Sequence, residues 1–408
     1  MTILVENIRC LVNTRDESRL LRGKELADLP CIENAYLLIE DGIIAGYGPM
    51  SEKTFTGDSI DAAGQFVLPA WCDSHTHLVF AASREEEFVY KIKGMTYAEI
   101  AAKGGGILNS ARRLNDTPEA DLLRMARERL HEVIQLGTGA IEIKSGYGLS
   151  VEGELKMLRV IQQLKKISPI PIRSTFLGAH TYPIEYRDNH QGYIDLLIND
   201  MLPVIAEEKL ADYIDVFCET GFFSPEETET ICRAGMQYGL KPKIHANQLS
   251  FSGGVETGVK LGAISVDHLE TMNEKAIRAL AGSGTIGTLL PTAAFFLRMP
   301  FQPARKLIDA GCAIALASDF NPGSSPSGNM NLVVAMSCIQ MMMMPEEAIN
   351  AATLNGAYAM EWGDQLGSIT RGKKANLVFT KQIPSLAYLP YAFGSNLIDK
   401  VMIAGEWV

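Results

Sequence analysis

The 408-residue chain contains no CxxC pair; its seven cysteines, Cys10, Cys31, Cys72, Cys218, Cys232, Cys312 and Cys338, are widely spaced and odd in number. This spacing excludes a zinc ribbon and a disulfide framework and predicts buried thiols. Cys72 sits near a histidine pair and has the chemistry to ligate a soft metal, although core packing is its expected role. Excess positive charge is absent as well: the formal net charge is −11, with Lys and Arg scattered rather than striped, so no nucleic-acid partner is expected. No apolar run approaches the roughly 18 residues of a membrane span. The opening MTILVENIRC lacks a basic segment followed by an apolar stretch, so no membrane partner and a cytoplasmic location are expected. Neither a Walker lysine nor a GxGxxG pattern follows Gly104, Gly105 and Gly106; that run reads as a loop able to cover a site, not as a phosphate cradle.

Apolar material is plentiful. At 47% hydrophobic content, a chain of this length can bury a large core and exceeds the usual single compact unit. A strand over Met1 to Val12 and the segment AYLLIEDGIIAGYGPM, whose apolar runs flank Asp41-Gly42, predict a small β-rich part with a hairpin. From about Val67 short buried strands alternate with amphipathic helices, which implies parallel strands joined by crossover helices. Counting from FVLPAWCDSH gives about eight strands, the number that closes a (β/α)8 TIM-like barrel; a doubly wound open sheet is the alternative. After a helix over MPEEAINAATLNGAYAM the pattern returns to strands and turns. The expected α/β architecture is therefore a barrel over 67–365 with a small composite β-sandwich domain from 1–66 and 366–408. The run MMMM at Met341 to Met344 lies in a helical pattern and reads as deformable core.

Five of the seven histidines stand at or just past the ends of expected strands: His75, His77, His180, His245 and His268. One residue separates His75 from His77, so strand alternation points both imidazoles to the same side. Asp319 follows the small apolar strand AIALAS, where an ionised carboxylate needs solvent or a cation to offset desolvation. Active sites of β/α barrels gather at the C-terminal strand ends, and three imidazoles with one carboxylate suit Zn2+ or a similar ion whose water can ionise near neutral pH. His131, in a helical segment, and His190, in a polar stretch, lack that context and read as surface residues.

The segment VLPAWCDSHTHLVFAASR resembles the amidohydrolase superfamily. KSGYGL, TFLGAHTYP, HANQLSFSGG, VDHLE and SDFNPGSSP narrow the resemblance, nearly end to end, to its imidazolonepropionase family. The resemblance implies one metal ion per chain, Zn2+ with iron as the alternative, held by His75, His77, His245 and Asp319. It implies catalytic roles for Asp319, His268 and His180, with His268 near the water and the substrate carbonyl. It assigns substrate binding to Arg84, Tyr147, His180, Gln248, Asn321, Gly323 and Ser324, and suggests a homodimer. The reaction implied is hydrolysis of the ring amide of 4-imidazolone-5-propanoate to N-formimidoyl-L-glutamate, with Asp319 taking the water proton and returning it to the ring nitrogen. A guanidinium suits the propionate tail, although the residues alone would favour pairing Arg84 with Glu85 to Glu87. The alternative is a mononuclear deaminase of a guanine- or cytosine-like heterocycle; such enzymes want an acid three residues after the third histidine ligand, and Gln248, an amide, cannot shuttle a proton there. Lys144 is the one residue tempting as a carboxylated bridge between two metals, but the SGYGL that follows marks it as non-bridging. A noncatalytic scaffold on this fold would be expected to lose ligands, and all four are kept.

Overall fold

The computed structural model describes residues 1–55, 57, 59–95, 99 and 105–408, so Gly104 of the glycine run lies outside the described residues. Its strands are β1 (Thr2–Val12), β2 (Cys31–Glu40), β3 (Ile43–Pro49), β4 (Ser59–Asp61), β5 (Phe66–Pro69), β6 (Trp71–Thr76), β7 (Thr138–Lys144) and β8 (Ile172–Ala179). They continue with β9 (Tyr213–Cys218), β10 (Lys241–Ala246), β11 (Ser265–His268), β12 (Ile286–Leu289), β13 (Ile314–Leu316), β14 (Leu377–Thr380), β15 (Ile398–Ile403) and β16 (Glu406–Trp407).

Two sheets result. One runs β16-β15-β14-β5-β1-β2-β3, with β4 beside β1, and so draws on both ends of the chain. Asp41 and Gly42 turn the β2–β3 hairpin with φ of 49° and 78°, the left-handed pair that a two-residue hairpin turn requires. The sheet curls until β3 meets the segment leading into β14: Ile44 N donates to Lys373 O at 2.8 Å and Ala375 N to Gly42 O at 2.8 Å. Val5, Leu37, Ile39, Leu377, Phe379 and Met402 fill the core it encloses.

The other sheet runs β6 to β13 in sequence order, every neighbouring pair parallel. It closes into a (β/α)8 barrel at the seam between β6 and the end of β13, where Asp319 N donates to His75 O and His77 N to Phe320 O, both at 2.9 Å. Buried Asp73 ties the same seam by accepting from Ser318 N and Ser318 Oγ at 3.0 and 2.5 Å. Among the surrounding helices, Val151–Ile167 starts at a Ser150 cap and turns Leu158, Val160, Ile161 and Leu164 inward, each apolar side chain contributing about 1.5–3 kcal/mol by leaving water.

Four sequence expectations change. Cys31 is exposed rather than a buried thiol. FVLP, counted above as the start of the first barrel strand, is β5 of the other sheet; Ala70 N donates to Asn376 O at 2.9 Å and the chain crosses between sheets there. The helix expected over residues 344–360 breaks at Thr353 (φ −118°, ψ −83°) into Pro345–Ala352 and Leu354–Ala359. MMMM is not uniformly core: the helix Met330–Met341 ends at Met342 in left-handed geometry, leaving Met342 and Met344 exposed between buried Met341 and Met343.

Candidate metal centre

Alternation along β6 sends Asp73 and His75 toward the barrel interior, with His77 just past the strand, while Cys72 packs outward against Ala140, Ala357, Met360 and Leu366. Cys72 is thus a core thiol, pushed up to about 12 by burial. His245 comes from the end of β10 and Asp319 from the turn after β13. The ligating atoms of His75, His77 and His245 lie within 4.8 Å of one another, as do those of His75, His268 and Asp319. Asp319 Oδ1 stands 3.4 Å from His75 Nε2 and 3.6 Å from His77 Nε2. His268 (φ 86°) and Asp319 (φ 52°) both hold left-handed backbone, a cost of about 1–3 kcal/mol each that persists only where the surroundings enforce it.

The partners of the other ring nitrogens explain the orientation. His75 Nδ1 donates to Asp267 Oδ2 at 2.7 Å, His77 Nδ1 to Ser145 O at 3.2 Å, and His245 Nδ1 to Asp215 Oδ2 at 2.9 Å. Carboxylate and carbonyl oxygens only accept, so Nδ1 carries the hydrogen on each ring and Nε2 keeps a free lone pair. Nε2 of His75 and of His245 is buried without a hydrogen-bond partner. Orphaned, convergent imidazole nitrogens backed by carboxylates and a carbonyl are the donor set of a bound cation. Burial, reinforced by Lys144 and the neighbouring rings, holds His75, His77 and His245 well below the usual imidazole range, in the neutral form that ligates. Burial pushes Asp319 up to about 6, against the pull of His268, Asn321 and Ser324.

Beneath the histidines lies a layer of buried charge. Lys144 Nζ donates to Glu142 Oε1 at 2.6 Å and Asp215 Oδ2 at 2.8 Å and lies 3.5 Å from Asp267 Oδ2, while Lys243 Nζ pairs with Glu142 Oε2. Burial opposes the Lys144 charge, but Asp215, Glu142 and Asp267 outweigh it and hold the ammonium above its ordinary range. Carboxylation needs a neutral amine, so this lysine is unsuited to bridge two metals.

The remaining sequence-derived residues surround this centre. His180 lies parallel to His77 (5.4 Å, 11°) and its Nδ1 donates to Gly146 O at 3.0 Å; burial lowers it to about 4, so the ring is neutral at pH 7. His268 Nδ1 is 3.5 Å from Glu270 Oε1; burial opposes its charge, but Glu270 outweighs that and raises it. Tyr147 Oη donates to Asn321 Oδ1 at 3.3 Å, and the same oxygen accepts from Gly323 N and Ser324 N at 2.7 and 2.8 Å. Ser324 Oγ donates to Asp319 Oδ2 at 3.2 Å, which links this loop to the centre. Arg84 pairs with Glu87 through Nε and Nη2 at 2.9 and 2.5 Å, as the residues alone favoured. Yet its Nη1 lies against Gly323, where an added Cβ would come within 2.3 Å. Gln248 is buried in the turn after β10, beside Leu249, whose N donates to Glu219 Oε2 at 2.9 Å. His131 and His190 are exposed and lie on helices away from these residues.

The sequence reading missed Asp215, Asp267, Glu142 and Lys243. Their signal was present: each is a charged residue within a short strand between apolar neighbours or beside a histidine, in YIDVFC, SVDH, TGAIEIK and KPKIHA.

Residues 220–408 match the model of the amidohydrolase family. The chain is 58% identical to an imidazolonepropionase of Flavobacterium johnsoniae and 54% identical to one of Christiangramia forsetii, all of both chains being covered each time. Among solved structures, a 5-methylcytosine deaminase from Klebsiella pneumoniae superposes with a TM-score of 0.74 at 17% identity over 100% of this chain and 98% of its own. The E. coli guanine deaminase does so at 0.73 and 14% identity, over 100% and 99%; at such identities the likeness speaks for the fold alone. Sequence identity above one half from end to end, on a barrel that gathers three histidines and an aspartate at the C-terminal ends of its strands, places this chain in the imidazolonepropionase family of amidohydrolases.

Proposed function

We propose that this chain hydrolyses the ring amide C–N bond of 4-imidazolone-5-propanoate to N-formimidoyl-L-glutamate, as a hydrolase acting on cyclic amides. The observation that carries the reading is the set of buried imidazoles whose Nε2 atoms converge beside Asp319, in a chain more than half identical to imidazolonepropionases. His75, His77, His245 and Asp319 would hold one ion, Zn2+ with iron as the alternative. A divalent ion bound there supplies Lewis acidity toward the ring carbonyl and lowers the pKa of water.

The protein groups supply the rest. Asp319, whose Oδ1 faces His75 and His77 and whose Oδ2 accepts from Ser324 Oγ at 3.2 Å, is placed to accept a proton from the attacking water and return it to the ring nitrogen as the C–N bond breaks. His268 orients the water and the carbonyl. Neutral His180, Tyr147 and Gln248 hydrogen-bond the ring, and Asn321, Gly323 and Ser324 line the product side. Arg84 receives the propionate: Glu87 fixes one edge of its guanidinium, and Nη1 is directed to the Gly323 loop. Arg84→Lys removes the fork, so KM is expected to rise roughly tenfold or more with a smaller change in kcat.

Residues 70–365 are proposed as the catalytic unit, with 1–69, which end in β5 of the other sheet, and 366–408 as the supporting β domain, and the assembly as a homodimer, which sedimentation would test. No helix among the described residues is long and apolar enough to cross a membrane. The decisive experiment incubates purified, metal-loaded protein with 4-imidazolone-5-propanoate, follows loss of the ring chromophore and assays N-formimidoylglutamate, with guanine and cytosine as controls. Release of ammonia from a control without ring opening of the imidazolone would replace this reading with deamination.

A further inference from the structure

The loop after β7, residues 145–149, serves the site at three successive positions. Ser145 O accepts from His77 Nδ1 at 3.2 Å, Gly146 O accepts from His180 Nδ1 at 3.0 Å, and Tyr147 Oη donates to Asn321 Oδ1 at 3.3 Å. Such a loop needs its own support, because Gly146 (φ 109°) and Leu149 (φ 50°) both lie in the left-handed region. Asn115 Nδ2 donates to Gly148 O at 2.8 Å, but N–H groups of the loop share one acceptor side chain. Glu154, fully buried on the first turn of the helix Val151–Ile167, accepts from Gly146 N at 3.0 Å through Oε2 and from Gly148 N and Leu149 N at 2.7 and 3.0 Å through Oε1. The loop packs directly on that helix, since a Cβ on Gly148 would come within 2.3 Å of Glu154 N.

We propose that Glu154 is a positioning residue for both metal and substrate: its carboxylate fixes the loop whose carbonyls aim His77 and His180 and whose Tyr147 faces Asn321. Both oxygens accept, Oε1 from two N–H groups and Oε2 from one. A glutamine places an NH2 group against a backbone N–H in either amide orientation and releases one side of the loop. Ser145 and Tyr147 then lose their register together, although Glu154 touches neither the ion nor the substrate. This inference rests on the ring-opening function and the ligand set proposed above.

The test compares wild type, Glu154→Gln and, as a control, Glu152→Gln on the exposed face of the same helix. Zinc affinity is measured by chelator competition, and KM and kcat with 4-imidazolone-5-propanoate. In Glu154→Gln the zinc affinity is expected to fall by about tenfold or more, the range seen when groups behind metal ligands are lost, and KM to rise by a similar factor; Glu152→Gln is expected to match wild type. A residue needed only for folding would lower the active fraction and leave the zinc affinity and KM of the folded protein unchanged, which would overturn the proposal. If Glu154→Gln does not fold, Glu154→Asp, which keeps the charge and withdraws it by one methylene, is read in the same way; failure of both to fold would make Glu154 a folding residue and likewise overturn it. Wild type that binds zinc but opens no ring would count against the functional reading instead, and the zinc comparison would still stand.

Discussion

Single side chains here are legible through what their second polar atom does. Asp267 accepts from His75 Nδ1 at 2.7 Å and lies 3.5 Å from Lys144 Nζ, so it both orients the ring and is itself held. Replacing it by asparagine removes the charge that binds it to Lys144 and admits a wrong amide orientation. We expect Asp267→Asn to lower zinc affinity by roughly 10–100-fold, read by chelator competition; unchanged affinity would show that the aspartate does not orient the ring. Acid acts at a different residue. The three histidines are already held neutral, whereas Asp319 sits at about 6 in the metal-free chain. Above that pH it is a carboxylate ready to ligate, and below it a proton must first be displaced. Zinc affinity should therefore fall as pH drops through about 6, approaching one decade per pH unit on the acid side, and titrating the affinity from pH 8 to 5 would expose a break set instead by the histidines.

At the scale of elements, the packing of helices on the barrel sets the tolerances. In the helix Leu354–Ala359, Gly356 approaches β6 so closely that a Cβ would fall 2.3 Å from Cys72 O. Gly356→Ala should cost about 1–3 kcal/mol through overpacking, seen as a lower urea midpoint; a midpoint equal to wild type would mean that the helix shifts freely. The alternation of apolar strands and amphipathic helices was enough to read the barrel, and Asp41-Gly42 enough to read the hairpin, because both signals are local. Where β5 ends and β6 begins was not readable: FVLPAWCDSH is continuous apolar texture, and only Asn376, some 300 residues on, draws Ala70 into the other sheet. The same distinction applies to the candidate site. His75, His77, His245 and Asp319 stand out at strand ends, but Asp215 and Asp267 sit mid-strand, where a charge makes sense only once Lys144, from another strand, is seen beside them. Glu154 is harder still, since a glutamate in the first turn of a helix is ordinary on the surface and this one is buried.

For the molecule as a whole, the closing seam of the barrel and the candidate metal centre share residues. His75 gives its carbonyl to Asp319 N, and His77 gives its N–H to Phe320 O; Asp73 and Ser318, which flank them, are 245 residues apart. Contacts of that sequence separation carry a loop-closure cost and add to contact order. An ion held by His75 and His77 on one side and Asp319 on the other would act as a clasp across this seam, turning metal affinity into resistance to opening. Amide hydrogen exchange would register this directly: the N–H groups of His77 and Asp319 should lose protection selectively when zinc is stripped, while those in the middle of β8, which lies away from the seam and carries none of the proposed ligands, keep theirs. A uniform loss over all eight strands would mean instead that the barrel opens as one cooperative body and has no weakest joint.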